Sequence, residues 1–439
     1  KPDDEVNKLY IKYLCEEANN TNYTFTPEDE EALLEHANWD TIQNFMTKVR
    51  QPCHEMLLAC YYGGHPHSCV TIFNPSLTDE GICCSFNKVK RDLIFRNPRD
   101  LSDLNVTFPA KVADWTPENG YPKGTPTGTL PWRPRGAGTH LGLTLLLDAN
   151  IDDYYCSSTA SVGFKFRLHN PVETPKVAEF GHTLSPGKEY RIAIRPIITN
   201  SSATLKGIPT NKRQCVFSNE KYLKFYRTYT QRNCALECEA NYTLEVCQCV
   251  PYYLPKDANT TICGQKEENC TTGARRTIEM RLVDEFANTT IFTTNNDEYL
   301  QKPTCQCLPG CSELNYQITL SSARFGGTFP LSKEFIATTQ RNETYFKRNV
   351  AIVHFYFMES QFFNYHKSEL FGFTEFLSNT GGLLGLFLGF SFLSVVEAFY
   401  FISLRLWCSL IKKRNPQKPS ILLTNANNIN TVTPYPFTQ

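Results

Sequence analysis

The residue types best suited to specific chemistry lie in one apolar stretch near the C-terminus. From Phe376 to Val396 the chain carries no charged side chain. That is enough α-helix to cross the hydrocarbon core of a bilayer, which takes about 20 residues. Gly381, Gly385 and Gly389 repeat every fourth residue, so one face of such a helix would be almost bare. A bare face permits close contact between membrane helices, or it lines a narrow path between them.

A carboxylate follows the bare face and indicates an aqueous path. Glu397 is costly in a membrane span, and such side chains normally face water or the interior of a helix bundle. On a regular helix it lies about 80° from Gly389 and therefore on a related face. Three copies around an axis would concentrate cations near the inner mouth of a pore.

The polar residue Ser391 does not fit a continuous helix of this kind. It lies about 200° from Gly389 on a regular helix, so both cannot line one pore. Extended backbone at Gly389, Phe390 and Ser391 would instead turn carbonyl oxygens toward the axis, where they can replace the hydration shell of a cation. Non-helical backbone is tolerated at membrane depth where it lines water or protein. We therefore expect a broken helix at these three residues.

Composition places most of the chain in an oxidising compartment. The 439 residues include 44 basic and 44 acidic side chains, and the zero net charge gives no reason to expect a nucleic-acid partner. Of the 18 cysteines, all but Cys408 lie ahead of the glycine-rich stretch. So many cysteines in one region indicate disulfides. N-x-[ST] sequons, all ahead of that stretch, agree: Asn19, Asn22, Asn105, Asn200, Asn241, Asn259, Asn269, Asn288 and Asn342.

Charge asymmetry predicts the topology. Lys412, Lys413 and Arg414 follow the apolar stretch, so the positive-inside rule places the C-terminus in the cytosol. We expect residues 1–368 to be extracellular, residues 369–410 to form a membrane segment with a filter at 389–391, and residues 411–439 to form a cytoplasmic tail. The lipid bilayer is then an expected partner.

Two features at the start of the chain predict further sequence upstream. Lys1 opens the chain without methionine, signal peptide or apolar run, although a large domain must be delivered outside the cell. The predicted extracellular region also holds an odd number of cysteines, which leaves one without an intrachain partner. Both features are explained if a first membrane span and one cysteine precede Lys1.

Strand patterns predict an antiparallel sheet domain interrupted by turns. The apolar or alternating runs are Leu141–Leu147, Val162–Leu168, Tyr190–Thr199, Leu314–Leu320 and Asn349–Phe357. The Pro/Gly-rich stretch from Trp115 to Gly138 predicts an exposed loop outside the core.

Two helices are predicted from local patterns. Thr26 precedes Pro27 and an acidic run, which is a good helix start. Further along, aromatic residues recur at helical spacing and predict the packing face of an amphipathic helix: Tyr222, Phe225, Tyr226 and Tyr229.

A cysteine-rich region lies between the predicted strands. Its C-x-C pairs could hold zinc, but three sequons lie among the same cysteines and place them in the secretory lumen, so we expect disulfides. The cysteines are Cys215, Cys234, Cys238, Cys247, Cys249, Cys263, Cys270, Cys305, Cys307 and Cys311. The chain contains no H-E-x-x-H or G-x-S-x-G motif, so we expect neither an enzyme nor a bound cofactor or metal.

Three motifs in order resemble one family. Residues 385–391 (GLFLGFS), with Glu397 six residues on, are similar to the second membrane span of the degenerin/epithelial sodium channel family. The cysteine-rich region and its exit, CLPGCSEL at 307–314, resemble that family's thumb domain. The segments GICCSFN at 81–87, YYCSS at 154–158 and GFKFRLHNPVETP at 163–175 are similar to its insect pickpocket branch.

The resemblance implies a fold and a disulfide pattern. It implies an α+β disulfide-rich extracellular domain of palm, β-ball, knuckle, finger and thumb type, followed by a transmembrane α-helix, with the first transmembrane helix missing. It also implies a nested ladder of bridges: Cys215–Cys311, Cys234–Cys307, Cys238–Cys305, Cys247–Cys270 and Cys249–Cys263. The region before Gly81 carries no family motif.

The resemblance also implies function. It implies a homo- or heterotrimer of related subunits that conducts Na⁺ or other cations across the plasma membrane and is blocked by amiloride. The filter would be Gly389, Phe390 and Ser391. Bulky replacements at the position of Ser378 hold family channels open, and Asn379 stands where acid-sensing relatives carry an aspartate. The remaining pore residues would be Gly381, Gly382, Gly385 and Glu397.

The opening stimulus does not follow from the sequence. We expect a mechanical route, in which the strand ending near Phe357 pulls the membrane span through residues 360–373. Three other functions remain: a single-span receptor or adhesion protein, a non-conducting accessory subunit of the same family, and a membrane-anchored ectoenzyme. The first does not explain Glu397 together with the glycine face, and the last lacks a catalytic motif.

Overall fold

The computed structural model describes residues 39–101, 103–104, 110–154, 159–264, 267–287, 305–326, 341–389 and 391–414. The predicted helix start at Thr26 lies outside these ranges. So do the sequons at Asn19, Asn22, Asn105 and Asn288, most of the YYCSS motif, and the chain after Arg414. The structure divides into two compact units, Lys1–Ser368 and Glu369–Gln439.

Strands form the centre of the first unit. They are Leu57–Tyr62 (β1), His65–His67 (β2), Phe73–Thr78 (β3), Gly81–Phe86 (β4), Leu143–Asp148 (β5), Phe164–Phe166 (β6), His182–Leu184 (β7), Lys188–Ser201 (β8), Glu313–Arg324 (β9), Val350–Phe357 (β10) and Asn364–Lys367 (β11).

Helices surround the strands and make up the second unit. They are Trp39–Val49 (α1), Cys53–Met56 (α2), Cys69–Ile72 (α3), Arg91–Ile94 (α4), Val177–Phe180 (α5), Thr210–Arg213 (α6), Gln231–Cys247 (α7), Glu268–Ala287 (α8), Glu343–Asn349 (α9), Phe373–Leu388 (α10) and Phe392–Arg414 (α11).

The main sheet is mixed, so the prediction of an antiparallel sheet is wrong. Its order is β11-β8-β10-β5-β1-β2, with β9 on the other edge of β8. β8 pairs with β9 antiparallel along its length but with β10 and β11 in parallel. Parallel pairing needs a long crossover, and the cysteine-rich region with β9 supplies it. β3–β4 and β6–β7 form separate hairpins.

The predicted strand runs match observed strands, with shifted ends. The buried faces of β5, β8 and β10 meet in the core, where Ile192, Ala351 and Val353 are fully buried. β10 begins at Val350 because Asn349 still ends helix α9. The run 162–168 keeps only the three residues of β6 as strand. Alternation along 314–320 correctly predicts β9.

The predicted amphipathic helix through residues 222–229 is wrong. The backbone there is extended or turning, because tertiary hydrogen bonds use its amide groups. The Glu237 carboxylate accepts from the amides of Lys224 and Phe225, at 2.6 and 2.9 Å. Phe225 is buried, as are Tyr226 and Tyr229, whereas Tyr222 is 72% exposed. The aromatic spacing therefore reflects core packing without a helix.

The Pro/Gly-rich stretch 115–138 forms a loop, as predicted, but part of it belongs to the core. Leu130 is 1% exposed. Trp132 packs against the core of the main sheet, and its carbonyl accepts from the Asn87 side chain at 3.1 Å. The Tyr121 hydroxyl donates to the Pro131 carbonyl at 2.6 Å. Buried side chains and specific hydrogen bonds thus hold a loop that composition alone predicts to be exposed.

The cysteine-rich region is an insertion between β8 and β9. Its five bridges join the pairs that the resemblance implies. Helices α7 and α8 are the longest in it, and the Thr230 side chain caps α7 by accepting from the Asn233 amide at 3.1 Å. Cys215 and Cys311 are both fully buried where the insertion leaves and rejoins the sheet.

Two further bridges lie outside the insertion, and one cysteine near them is free. Cys53 bonds to Cys84, and Cys60 bonds to Cys69. Within the described part of the first unit Cys83 has a free thiol, and burial raises its pKa. Seven bridges in the described residues, in a mixed α+β unit, confirm the predicted fold class.

The described sequons differ in accessibility. The exposed ones are Asn241, Asn259, Asn269 and Asn342. The last also caps α9, where its side-chain oxygen accepts from the Tyr345 amide at 2.8 Å, which leaves its nitrogen for a glycan. Asn200 is half-buried in β8 and pairs opposite His366. Glycosylation of all of them stays a prediction.

We expect the double replacement of Cys215 and Cys311 with alanine to lower the free energy of unfolding by about 3 kcal/mol. The Cys234–Cys307 bridge already closes 73 of the 96 residues inside the outer bridge, so the loop set free is short. Denaturant unfolding without reductant measures the loss. Cys408→Ala, which removes a free thiol, is the control. A loss near 5 kcal/mol, the cost of a loop of about 100 residues, would contradict this account.

Candidate ion-conduction segment

The glycine-rich stretch forms two helices rather than one. α10 ends at Leu388 and α11 begins at Phe392, so the apolar run 376–396 is divided at the residues where a break is predicted. Gly389 has φ of 60°, in the left-handed region, and its amide donates to the Leu384 carbonyl. Phe390 lies outside the described residues. The predicted break of the helix is confirmed, but Gly389 is left-handed where extended backbone is predicted.

Glycine explains how the first helix stops. The left-handed conformation after a helix C-terminus costs an L-residue with a Cβ atom roughly 1–2 kcal/mol, and glycine avoids this cost. A Cβ atom added at Gly389 would meet nothing within 4 Å, so conformation and not crowding favours glycine here. The other helical glycines do not need this conformation.

Serine explains how the second helix starts. Ser391 precedes α11, and its hydroxyl accepts from the Ser394 amide at 3.3 Å. The Ser391 amide donates in return to the Ser394 hydroxyl at 3.4 Å. This reciprocal pair is a weak form of the capping box, in which a polar residue at the third helical position returns the bond. The Ser-x-x-Ser spacing in the sequence indicates this cap, which was not among the predictions.

The break exposes backbone carbonyl groups at the end of α10. The last four carbonyls of a helix have no intrahelical donor, and the C-terminal end carries the negative pole of the helix dipole. α10 therefore directs partly negative oxygen atoms toward the gap before α11. Partners for such carbonyls at membrane depth are water, protein or a cation. The first turn of α11 contributes amide groups to the same gap, one of which donates to the Ser391 hydroxyl, and a role of the carbonyl oxygens in binding cations stays a prediction.

The other predicted pore residues lie on both sides of the break. Ser378 and Asn379 are exposed in the second turn of α10, ahead of the glycines. Gly381 and Gly385 are four residues apart in the same helix, and Gly382 adds to the small surface. A Cβ atom at Gly381 or Gly382 would meet nothing within 4 Å.

Glu397 lies on α11, beyond the break. The angle of about 80° from Gly389 assumed one continuous helix, and with the helix broken at Gly389 that angle no longer applies. Glu397 is exposed in the second turn of α11. The structure thus separates the carboxylate from the carbonyl oxygens, and the pore roles of all these residues stay predictions.

The surface of this unit requires an apolar environment. Side chains next to the break are largely exposed, with Leu386 at 79% and Phe392 at 82%. In the described residues the helix long and apolar enough to cross a membrane is Phe392–Ile411, with mean hydropathy 1.4. This helix lies almost entirely within the membrane segment expected at residues 369–410, and the bounds of that segment stay a prediction. Lipid or neighbouring subunits would cover these side chains.

Comparison with known proteins identifies the family. The family model described as "Amiloride-sensitive sodium channel" matches residues 2–401. The chain belongs to this family. Membership confirms the resemblance read from the motifs, and with the apolar helix α11 it makes this a membrane protein.

Individual relatives agree. The chain is similar to pickpocket protein 28 of Drosophila melanogaster, with 38% identity over 406 residues, which are 90% of this chain and 62% of that protein. It is 25% identical to the sodium channel protein Nach of the same species over 409 residues, covering 91% and 68%. Identity to human acid-sensing ion channel 2 is 25% over 274 residues, covering 60% and 48%. The chain thus spans about three-fifths of the length of pickpocket protein 28.

Two glycine substitutions should have opposite effects on this family member. Gly389→Ala is expected to destabilise the second unit by about 1–2 kcal/mol, because alanine resists the left-handed conformation. Gly381→Ala, inside α10 with open space around it, is expected to stabilise the helix by up to about 1 kcal/mol. Thermal unfolding of the helical circular dichroism of the full chain in detergent measures both. Stabilisation by both substitutions would mean that the helix continues through Gly389.

Proposed function

We propose that this chain is a pore-forming subunit of a trimeric, sodium-selective, amiloride-sensitive channel of the plasma membrane. The observation that carries the proposal is the helix break between Leu388 and Phe392, within the apolar part of a chain that belongs to the amiloride-sensitive sodium channel family. A helix that only anchors a receptor gains nothing from a break that leaves backbone carbonyls without partners. A pore uses those carbonyls.

The proposed filter combines backbone and side-chain oxygen atoms. Carbonyl groups at the end of α10 and the hydroxyl of Ser391 would replace part of the water around Na⁺ as it passes. Several subunits around one axis are needed, because one helix end offers too few oxygen atoms to surround an ion. The names of two relatives, a sodium channel protein and an acid-sensing ion channel, support cation conduction.

The carboxylates of Glu397 would act beyond the filter. One carboxylate from each of three subunits forms a negative ring, which raises the local concentration of cations and repels anions. We place this ring toward the cytoplasmic side, because the basic cluster after α11 favours a cytosolic C-terminus.

The extracellular domain would control the pore through the chain after β10. Residues 360–373 are not a plain tether, because β11 within them pairs with β8 in parallel at Ile198–Ser201. The Lys367 carbonyl accepts from the Ser202 amide at 2.8 Å and extends this pairing. Displacement of β8 would therefore move the chain just ahead of α10, and we propose that gating uses this connection.

Replacing Ser391 should alter ion selectivity. In cells that express the complete gene, we expect amiloride-blocked currents that favour Na⁺ over K⁺. Ser391→Ala should lower the permeability ratio about three- to tenfold, the effect of one lost hydrogen bond or coordinating hydroxyl. Reversal potentials under sodium replacement give the ratio.

A substitution at Ser394 distinguishes a role of Ser391 in ion selectivity from its role in capping α11. Ser394→Ala removes the bond that the Ser394 hydroxyl accepts from the Ser391 amide but keeps the Ser391 hydroxyl and the backbone amide that donates to it, so it should leave the permeability ratio unchanged. Equal shifts in both variants would assign Ser391 to capping and end the filter proposal. A wild-type protein that passes no amiloride-blocked current, alone or with related subunits, would contradict the channel itself.

Neutralising Glu397 should reduce conductance in a salt-dependent way. We expect Glu397→Gln to lower single-channel cation conductance about two- to tenfold in low salt and less at high ionic strength, since mobile ions screen the ring. Single-channel recording at two salt concentrations tests this. Glu343→Gln, which neutralises an exposed carboxylate of the first unit, is the matched control. A reduction independent of salt would mean that Glu397 acts through folding.

A further inference from the structure

A cavity of about 90 Å³ lies in the first unit, apart from the proposed pore segment. The β3–β4 hairpin forms one wall, the chain from Lys88 to Leu104 forms another, and the loop at 253–256 of the cysteine-rich insertion closes it. By volume it has room for about six to nine water-sized groups. The cavity therefore suits a molecule of a few heavy atoms.

The charged residues that line the cavity are mostly basic. Lys88, Arg91 and Lys256 contribute cationic groups, and Asp103 contributes a carboxylate. Arg91 holds that carboxylate by two contacts, from Nη2 to Oδ1 at 2.5 Å and from Nε to Oδ2 at 2.6 Å. Guanidinium and carboxylate form a paired unit, and the Lys256 ammonium donates to the Tyr252 carbonyl at 2.6 Å. The buried Lys88 ammonium adds a further cationic group to the wall.

Two nitrogen donors of the wall bear on what it can bind. Asn74 is 5% exposed, lines the cavity, and its side-chain nitrogen has no hydrogen-bond partner among the described residues. The Lys88 ammonium donates to the neutral Ser76 hydroxyl at 2.9 Å. A buried donor without an acceptor costs about 1–3 kcal/mol, which an anion in the cavity would recover. The unsatisfied Asn74 donor and the Lys88 ammonium, whose hydrogen-bond partner is a neutral hydroxyl, together indicate an anionic ligand.

The rest of the wall is apolar. Val89, Ile94 and Leu254 are at most 2% exposed and line the same cavity. A halide ion would leave this surface uncovered. A short carboxylate would place its oxygen atoms at the donors and its methyl or methylene groups against the apolar side chains.

From these observations we propose that the cavity is a binding site for a small monocarboxylate of two to four carbon atoms. The site is independent of the proposed channel function, because it is built only from the first unit. Burial lowers the pKa of Lys88 to about 8 and that of Lys256 to about 7, although Asp103 opposes both shifts, so the charged form of each lysine lacks full compensation from the protein's own groups. A bound carboxylate would favour the charged ammonium groups.

Equilibrium dialysis of the purified full chain in detergent with radiolabelled propionate tests the proposal. Ionic strength is held constant with sodium chloride at pH 7. We expect saturable binding of one propionate per chain, displaced by acetate or butyrate but not by additional chloride. Binding should also raise the unfolding temperature of the chain, because propionate binds the folded state alone.

Two substitutions locate the site. Lys88→Met removes a buried charge, and Asn74→Leu removes the unpaired donor at similar volume. Each should raise the propionate dissociation constant about tenfold or more, as expected for one hydrogen bond to a charged group. Lys347→Met removes an exposed ammonium group elsewhere and should change nothing. Each variant's own unfolding transition checks that it is folded.

Three results would overturn the proposal. The first is absence of saturable propionate binding to the wild-type chain. The second is displacement of propionate by chloride as effective as by butyrate, which would assign the cavity to halides. The third is unchanged affinity in folded Lys88→Met and Asn74→Leu, which would place propionate elsewhere.

Discussion

Hydrogen bonding along both edges of β8 is the constraint on which the first unit depends. On one edge β9 pairs with it from Lys188 to Thr199. On the other edge β10 ends opposite Ile194 and β11 begins opposite Ile198. Pro196 lies in the gap between these two partner strands. Because proline has no amide hydrogen, it adds no unpaired backbone donor to that gap. The residue that cannot donate thus stands where the partner strand changes.

Because β8 and β9 are paired, the insertion between them is attached to the sheet at both of its ends, and a disulfide joins those ends. The insertion between β8 and β9 could swing about its two connections, but the Cys215–Cys311 bridge joins them where they leave the sheet. The Ser201 hydroxyl donates to the Cys311 carbonyl at 2.6 Å, and the Val216 amide donates to the Pro309 carbonyl at 2.9 Å. The insertion is therefore fixed to the end of β8, next to the strand that leads toward α10.

The sequence predicted correctly those features that depend on a few neighbouring residues. Alternation predicted β9, and the position of Ser391 about 200° from Gly389 on a regular helix predicted the break. The disulfide ladder came from family resemblance, since spacing alone allows many pairings. The aromatic run ending at Tyr229 misled, because Glu237 captures its amide groups from another element. β8 pairs in parallel with β10, although the two strands are far apart in the sequence. No pattern within either strand indicates that pairing.

Unsatisfied backbone and side-chain groups have opposite character at the two candidate sites. At the end of α10 the groups left over are carbonyl oxygens, which only a donor or a cation can satisfy. Around the cavity in the first unit the unpaired group is the Asn74 nitrogen, which needs an acceptor, and it lies in the same wall as the Lys88 ammonium that donates to Ser76. Folding leaves few polar groups of either kind unpaired, because each costs free energy. The chemical sign of such groups is therefore the common basis of the two proposals, a cation at the break and an anion in the cavity.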